Sequence, residues 1–241
     1  YNVAPTQPVP VVLLDQGARR FQLMRWGLLP AWVKDPRTFS LVINARAETV
    51  LDKPAFRNAM KRRRCLLPAD GYYEWQPAPS RKRPFFIRPR DGQPVAFAGL
   101  AETWVGPNGE ELDTVAIITA PASPDLAALH HRVPVTIAPD DFDRWLDGSI
   151  CGDREAATLL VAPSEGTFVW HEVSTAVNRV ANDDERLIVR ITPEEAAAEA
   201  AAAEVARKPR ARTVSSNPSS PPVKRKAAGR TPKNDGQGSL F

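Results

Sequence analysis

Two cysteines, Cys65 and Cys151, are all that the 241 residues hold. That is too few for a disulfide scaffold and lacks the spacing of a zinc site, so we expect a reducing cytosol, no metal and no cofactor. No run of about 20 apolar residues is present that would cross a bilayer as a helix. Aromatic residues stop early: all six Trp and all three Tyr lie at or before Trp170, and beyond His171 only Phe241 follows. The packed core should therefore end near residue 190. Acidic residues are missing from Val205 to Asn234, where nine Lys and Arg stand, so residues 205–241 carry a formal charge of +8 and residues 1–204 carry −4. A globular part with that balance can hold nucleic acid only through a local basic patch.

What is present up to residue 190 reads mostly as short strands between Pro and Gly punctuation. Expected strands are Val11–Leu14, Phe21–Trp26, Ser40–Arg46, Cys65–Leu67, Tyr72–Gln76, Phe85–Pro89, Val95–Leu100 and Val115–Ala120. Asp91-Gly92 between two of them is a hairpin signal. Helix is sparser: Pro54–Arg62, a short turn from Ser123-Pro124 that delivers His130, and Asp140–Leu146. The fold class expected is α+β with a mainly antiparallel β core. The span 1–191 forms one domain in this reading. Residues 192–208 follow as an Ala-rich helix, with Thr192 and Glu195 as a capping box and no apolar stripe to hold it to the core. Residues 209–241, rich in Pro, Ser, Lys, Arg and Gly, bury too little to order themselves and should be a disordered basic tail.

Three polar groups of residues sit within strand-like apolar surroundings. In Ile43-Asn44-Ala45-Arg46-Ala47-Glu48-Thr49, alternation puts Asn44, Arg46 and Glu48 on one face. Asn44 and Arg46 suit a phosphate or an oxyanion, and equally a buried amide and an ion pair to Glu48. Pro68-Ala69-Asp70-Gly71-Tyr72-Tyr73-Glu74-Trp75 places one carboxylate, Glu74, among aromatics. Poor solvation there raises a carboxyl's pKa and suits it to proton transfer near neutrality; the plainer alternative is an exposed Glu on an amphipathic strand. Leu129-His130-His131-Arg132-Val133-Pro134-Val135 ends a turn at His130, a proton shuttle or a structural histidine. The basic run Lys61-Arg62-Arg63-Arg64 reads either as a DNA contact or as a solvated helix end.

The motifs Tyr1-Asn2-Val3-Ala4-Pro5-Thr6, Trp26-Gly27-Leu28-Leu29-Pro30-Ala31-Trp32, Ile43–Thr49, Arg64–Trp75 and His130–Val135 come in that order. With Trp170-His171, Val173-Ser174, Val177-Asn178 and Leu187-Ile188, they closely resemble the successive motifs of the SRAP family. These are SOS-response-associated peptidase-like proteins of DNA damage, which crosslink covalently to abasic sites. The resemblance covers about 190 residues and implies a barrel-like β core.

The resemblance also implies a mechanism. The family's nucleophile is the cysteine after the initiator Met, exposed when the protein removes that Met itself, a hydrolase activity limited to its own chain. The cysteine amine and thiol condense with the ring-opened abasic aldehyde to an imine and then a thiazolidine. Asn44 is implied to position cysteine and sugar, Glu74 to shuttle protons, and His130 to assist ring opening and crosslink reversal. Pro30 and Trp32 are implied to wedge and stack beside the lesion, and Arg46, Arg132 and Thr119 to touch the sugar–phosphate backbone. His131 stands where relatives often carry an acidic or amide residue. The family pattern begins with Met-Cys-Gly-Arg some tens of residues before Tyr-Asn-Val-Ala-Pro, which here starts at Tyr1. The expectation is a chain shown without its first residues and, as written, deficient in crosslinking; a targeting segment ahead of it stays open. Cys65 falls in the Arg-Cys-Leu-Leu-Pro strand as a buried structural thiol and Cys151 is incidental.

The partner expected is single-stranded DNA containing abasic sites, met by a monomer in the cytoplasm at the nucleoid and not at a membrane. The last residues, Gln237-Gly238-Ser239-Leu240-Phe241, resemble the peptide by which bacterial proteins dock on the DNA sliding clamp, with Gln237, Leu240 and Phe241 as anchors. Two other readings compete with covalent capture. One is a non-covalent adaptor between single-stranded DNA and the clamp. The other is a peptidase acting on other proteins through a Cys65–His130 dyad.

Overall fold

The structure, a computed structural model, describes residues 1–79 and 81–207. The basic tail and the Gln237–Phe241 peptide lie outside the described residues. The chain begins with a hairpin of β1 (Pro8–Asp15) and β2 (Ala18–Trp26). Its two-residue loop has Gln16 at φ 49° and Gly17 at φ 78°, the primed turn whose twist matches antiparallel strands. β3 (Asn44–Arg46), β4 (Arg64–Ala69), β5 (Tyr72–Gln76), β6 (Arg83–Pro89), β7 (Val95–Val105), β8 (Glu111–Pro121), β9 (Arg132–Pro134) and β10 (Phe168–Glu172) follow. The helices are short until the last: α1 (Arg57–Arg62), α2 (Pro124–Ala127), α3 (Phe142–Leu146), α4 (Asp153–Ala156) and α5 (Pro193–Arg207).

Five strands close a ring. β1 pairs antiparallel with β2 and β4, β4 with β7, and β7 with β8. β8 returns to β2 in parallel, Arg25 opposite Thr114 and Trp26 opposite Val115. Most pairs are antiparallel, as expected, yet parallel pairs make the closure, and β3 also joins β8 in parallel. β9 adds to β8 antiparallel, and β10, β6 and β5 form a separate three-stranded sheet. Asp91-Gly92 is a turn, with Gly92 at φ 73°, but not the hairpin expected from it. It carries the chain from the small sheet to the barrel, because β6 and β7 belong to different sheets. The strand expected over Ser40–Arg46 shrinks to Asn44–Arg46, preceded by a lone bridge of Val42 to Leu28.

Alternation along the strands sorts the core into two large clusters. One holds Leu28, Met60, Leu100, Ile118 and Trp145; the other holds Val11, Met24, Ile87, Val115 and Phe168 between barrel and small sheet. Truncating such a side chain to Ala costs about 2–5 kcal/mol. Arg64 enters this core at 2% exposure and donates to the carbonyls of Met60 (2.8 Å), Cys151 (2.7 Å) and Trp145. Of the basic run, then, Arg64 is committed to holding α1, α3 and the Cys151 loop together. Arg63 is turned to Thr103 and Asp113, while Lys61 and Arg62 are exposed.

α5 has the capping box foreseen for it: Thr192 N–H donates to Glu195 at 2.8 Å and Glu195 N–H to Thr192 Oγ1 at 3.2 Å. Polar contacts hold this helix where an apolar stripe is missing. Glu199 accepts from Ser174 Oγ at 2.6 Å and from Thr175 N–H at 2.9 Å, and Arg81 donates to the Ala196 carbonyl at 3.2 Å.

Candidate active site

The alternation of β5 turns Tyr72 and Glu74 to one face of the small sheet and Tyr73 and Trp75 to the other. Glu74 is 1% exposed, and its Oε2 accepts from the Trp75 N–H at 3.1 Å. His130 follows the α2 turn, its own N–H donating to the Leu126 carbonyl at 3.1 Å. Its Nδ1 lies 3.8 Å from Glu74 Oε1. The Arg132 N–H donates to that same Nδ1 at 3.1 Å, which places the proton of the neutral ring on Nε2. Burial lowers the His130 pKa from its ordinary value, and the nearby His131, Lys82 and Arg132 charges lower it further against the pull of the Arg132 backbone. The ring is therefore neutral at pH 7 and able to take a proton.

Arg132 organises the other half. Its guanidinium grips both oxygens of Glu48, Nη2 to Oε2 at 2.9 Å, and also reaches the carbonyl and hydroxyl of Thr119. This hydrogen bonding holds the Glu48 carboxyl below its usual range. Glu48 does form an ion pair, but across the fold with Arg132 and not with Arg46 beside it. Asn44, half-buried, and Arg46, exposed, line a cleft of about 680 Å³ with Thr119, Arg132, His131 and Lys53. One residue thus joins the two groups, since Arg132 holds His130 through its backbone and walls the cleft with its side chain.

The stacking residues separate. Trp32 is 57% exposed and meets Phe39 edge-on, ring centroids 5.6 Å apart. Its loop is pinned from below by Trp104 Nε1 donating to the Val33 carbonyl at 2.6 Å. Pro30 is buried and accepts from the Val33 N–H at 3.0 Å, so it shapes the loop and leaves the open face to Trp32. Thr119 is 2% exposed beneath Arg132. It is a strut for the guanidinium and presents little surface of its own.

Sequence reasoning missed Lys53 in the cleft and a support behind Glu74. Asn2 donates to the carbonyls of Val177, Arg179 and Asn182 at 3.1, 3.2 and 2.9 Å, and Asn178 Oδ1 accepts from Trp75 Nε1 at 2.7 Å. The signal available was an Asn inside an otherwise apolar opening motif. Cys65 is fully buried, and burial pushes its thiol far up, which removes it as a nucleophile. Among the described residues no group of three His, Cys, Asp or Glu is placed to hold a metal, and no helix is long and apolar enough to cross a membrane.

The sequence profile of SOS response associated peptidase (SRAP) matches residues 1–180. Abasic site processing protein YoaM of Bacillus subtilis is 36% identical over 189 residues, 78% of this chain and 83% of the relative. Abasic site processing protein YedK of Escherichia coli is 34% identical over 192 residues, 78% of this chain and 83% of the relative. A crystal structure of a protein from Bacteroides thetaiotaomicron superposes with a TM-score of 0.71 at 26% identity, covering 78% of this chain and 82% of that one.

Proposed function

The chain belongs to the SRAP family, and from that premise we propose that it captures abasic sites in single-stranded DNA by covalent condensation at the Glu74–His130 centre. The family likeness supplies the reacting group, an N-terminal cysteine freed by removal of the initiator Met; that cysteine is not among the 241 residues. Its neutral amine adds to the aldehyde carbon of the opened sugar, water leaves to give the imine, and the thiol sulfur closes the thiazolidine. Each step needs a proton delivered or removed within a few ångströms of one carbon. Glu74 and neutral His130, 3.8 Å apart and screened from bulk water, suit that traffic. Asn44 orients sugar and cysteine from the neighbouring cleft.

Binding to the strand, in this reading, comes from Trp32 stacking and from Arg46 and Lys53 meeting phosphates. Arg132, already gripped by Glu48, acts mainly by positioning His130 and only secondarily by touching the backbone. The protein works as a monomer on nucleoid DNA, with Gln237, Leu240 and Phe241 of the tail recruiting the sliding clamp.

The observation that carries the proposal is the buried carboxylate facing a neutral imidazole. The test is incubation of the chain, preceded by a Met-Cys-Gly-Arg start, with single-stranded DNA bearing one abasic site. A covalent species on a denaturing gel that needs the new cysteine is expected, and its absence would sink the reading. A non-covalent adaptor draws only on exposed Trp32 and Arg46. It requires DNA retention that Glu74→Gln and His130→Ala leave unchanged, with no covalent product.

A further inference from the structure

A second cleft, of about 720 Å³, opens between the small sheet and α5. Its sheet wall is in register with the strand that carries Glu74. Glu74 pairs with Phe85, and Phe85 pairs with Glu172, so the three side chains stand in a row on one sheet face. Trp170 stands on the same face, two residues before Glu172. Moving along that row leads from Glu74 to a wall made of Phe85 and Trp170.

The helix side explains why the space exists. α5 presents Ala196, Ala197 and Ala200 to the cleft, side chains too small to fill it. A helix laid on a sheet merely for stability would fill such space with large apolar groups. Instead the Glu199 contacts to Ser174 and Thr175 hold α5 in place over a gap. Three guanidiniums, of Arg81, Arg83 and Arg190, line the cleft with one carboxylate, Glu172, which pairs with Arg83, while Arg81 also pairs with Glu199 of α5. Arg83 is fixed by its pair with Glu172 and lies over the Phe85 ring, 5.5 Å from its centroid. The cleft therefore offers an aromatic wall, a preset guanidinium and a surplus of positive charge.

We propose that this cleft is a nucleotide subsite, in which one unpaired base of the DNA strand stacks on Trp170 beside the Arg83 guanidinium that covers Phe85, and its phosphate meets Arg190. It extends the strand path beyond the lesion position and rests on the reading of this chain as a DNA-processing protein. Base stacking tolerates any sequence, as a subsite flanking a lesion must.

The test is fluorescence anisotropy of the full chain with a fluorescein-labelled, undamaged oligothymidylate about twelve nucleotides long, a length spanning several stacked bases. Ala200→Phe, which fills the cleft without changing charge, should weaken binding roughly tenfold, the worth of one stacked base. Because the larger ring can also lever α5 off the sheet, Arg190→Ala on the exposed rim serves as the second variant. It should lower the slope of log Kd against log salt by about 0.7, the share of one phosphate contact on a single strand. Photocrosslinking with 5-iodouracil in the oligonucleotide should label the peptide holding Trp170. Unchanged affinity in both variants, or photoadducts confined to Trp32, would overturn the subsite. If a crosslinking-competent chain captures abasic DNA while both variants bind like the parent, the subsite alone fails. If the variants weaken binding but no covalent capture occurs, the subsite stands and the proposed reaction falls.

Discussion

His130 uses one nitrogen for two partners: Nδ1 accepts the Arg132 N–H at 3.1 Å and lies 3.8 Å from Glu74 Oε1. In the neutral ring that nitrogen is an acceptor and Glu74 waits beside it. Once protonated, the same nitrogen becomes a donor, repelled by the Arg132 amide and drawn to the carboxylate or to the Arg132 carbonyl at 3.4 Å. A proton moving between Glu74 and His130 thus changes which partner the ring serves.

The lowered His130 pKa sets a pH dependence with a definite sign. The unfolded chain takes up this proton near the ordinary value of 6.5, and the folded chain only below it. The contribution of neutral His130 is therefore fully present above about pH 6.5 and is lost as pH falls from there toward the lowered folded value. Between pH 7.5 and 5 the parent's urea midpoint should fall more than that of His130→Gln, whose side chain does not titrate. Parallel pH profiles would show that His130 titrates in the folded chain as it does in the unfolded one.

Glu74→Gln keeps the side-chain volume and removes the proton. In a chain carrying the reactive cysteine it should slow covalent capture by about 10²–10⁴-fold, the usual range for a general acid–base group. Affinity for undamaged single strands should stay within about twofold, since this buried carboxyl offers no surface for stacking or phosphate contact. Rapid quench on abasic DNA and anisotropy on intact DNA separate the two effects. Equal losses in both would recast Glu74 as a structural residue.

What was legible in the sequence was local. Alternation in Tyr72–Gln76 located both β5 and Glu74, and the Thr192–Glu195 spacing located the start of α5. The Gln16-Gly17 turn went unread because its first residue is not the Asn or Asp that marks such turns. Strand β10 is held by β6, far away in sequence, and β9 is only three residues long, so neither carries a clear alternation of its own. The same holds for the partner of Glu48, which lies 84 residues away at Arg132. Asp91-Gly92 announced a turn but not which sheets it would join, since sheet membership is decided by distant pairing. The supports around the site, from Asn2 to Asn178, are likewise contacts between segments that no local pattern links.

Trp32 should matter to DNA and hardly to the fold. With 57% of its surface exposed and one edge contact to Phe39, it contributes little burial. Trp32→Ala should change stability by no more than about 0.5 kcal/mol. It should weaken single-strand binding by roughly 5- to 100-fold, the range of one lost stacking partner. Chemical denaturation beside anisotropy measures both, and a large stability loss with unchanged binding would make Trp32 a fold residue.

Arg64 and Arg62 are near neighbours in a run that reads as one basic patch, and the structure sets them to opposite tasks. Arg64 is 2% exposed and satisfies three main-chain carbonyls that have little access to water. Removing its guanidinium leaves those acceptors unpaired, so Arg64→Ala should cost roughly 2–4 kcal/mol of stability. Arg64→Lys should recover only part of it, because one ammonium cannot reach three carbonyls arranged for a planar fork. Arg62→Ala, on the exposed end of α1, should leave stability within about 0.5 kcal/mol. Urea denaturation of the three variants tests the contrast directly. Should Arg64→Ala fold as stably as the parent while losing DNA affinity, the carbonyl cage would be dispensable and the basic run would act as a unit on nucleic acid.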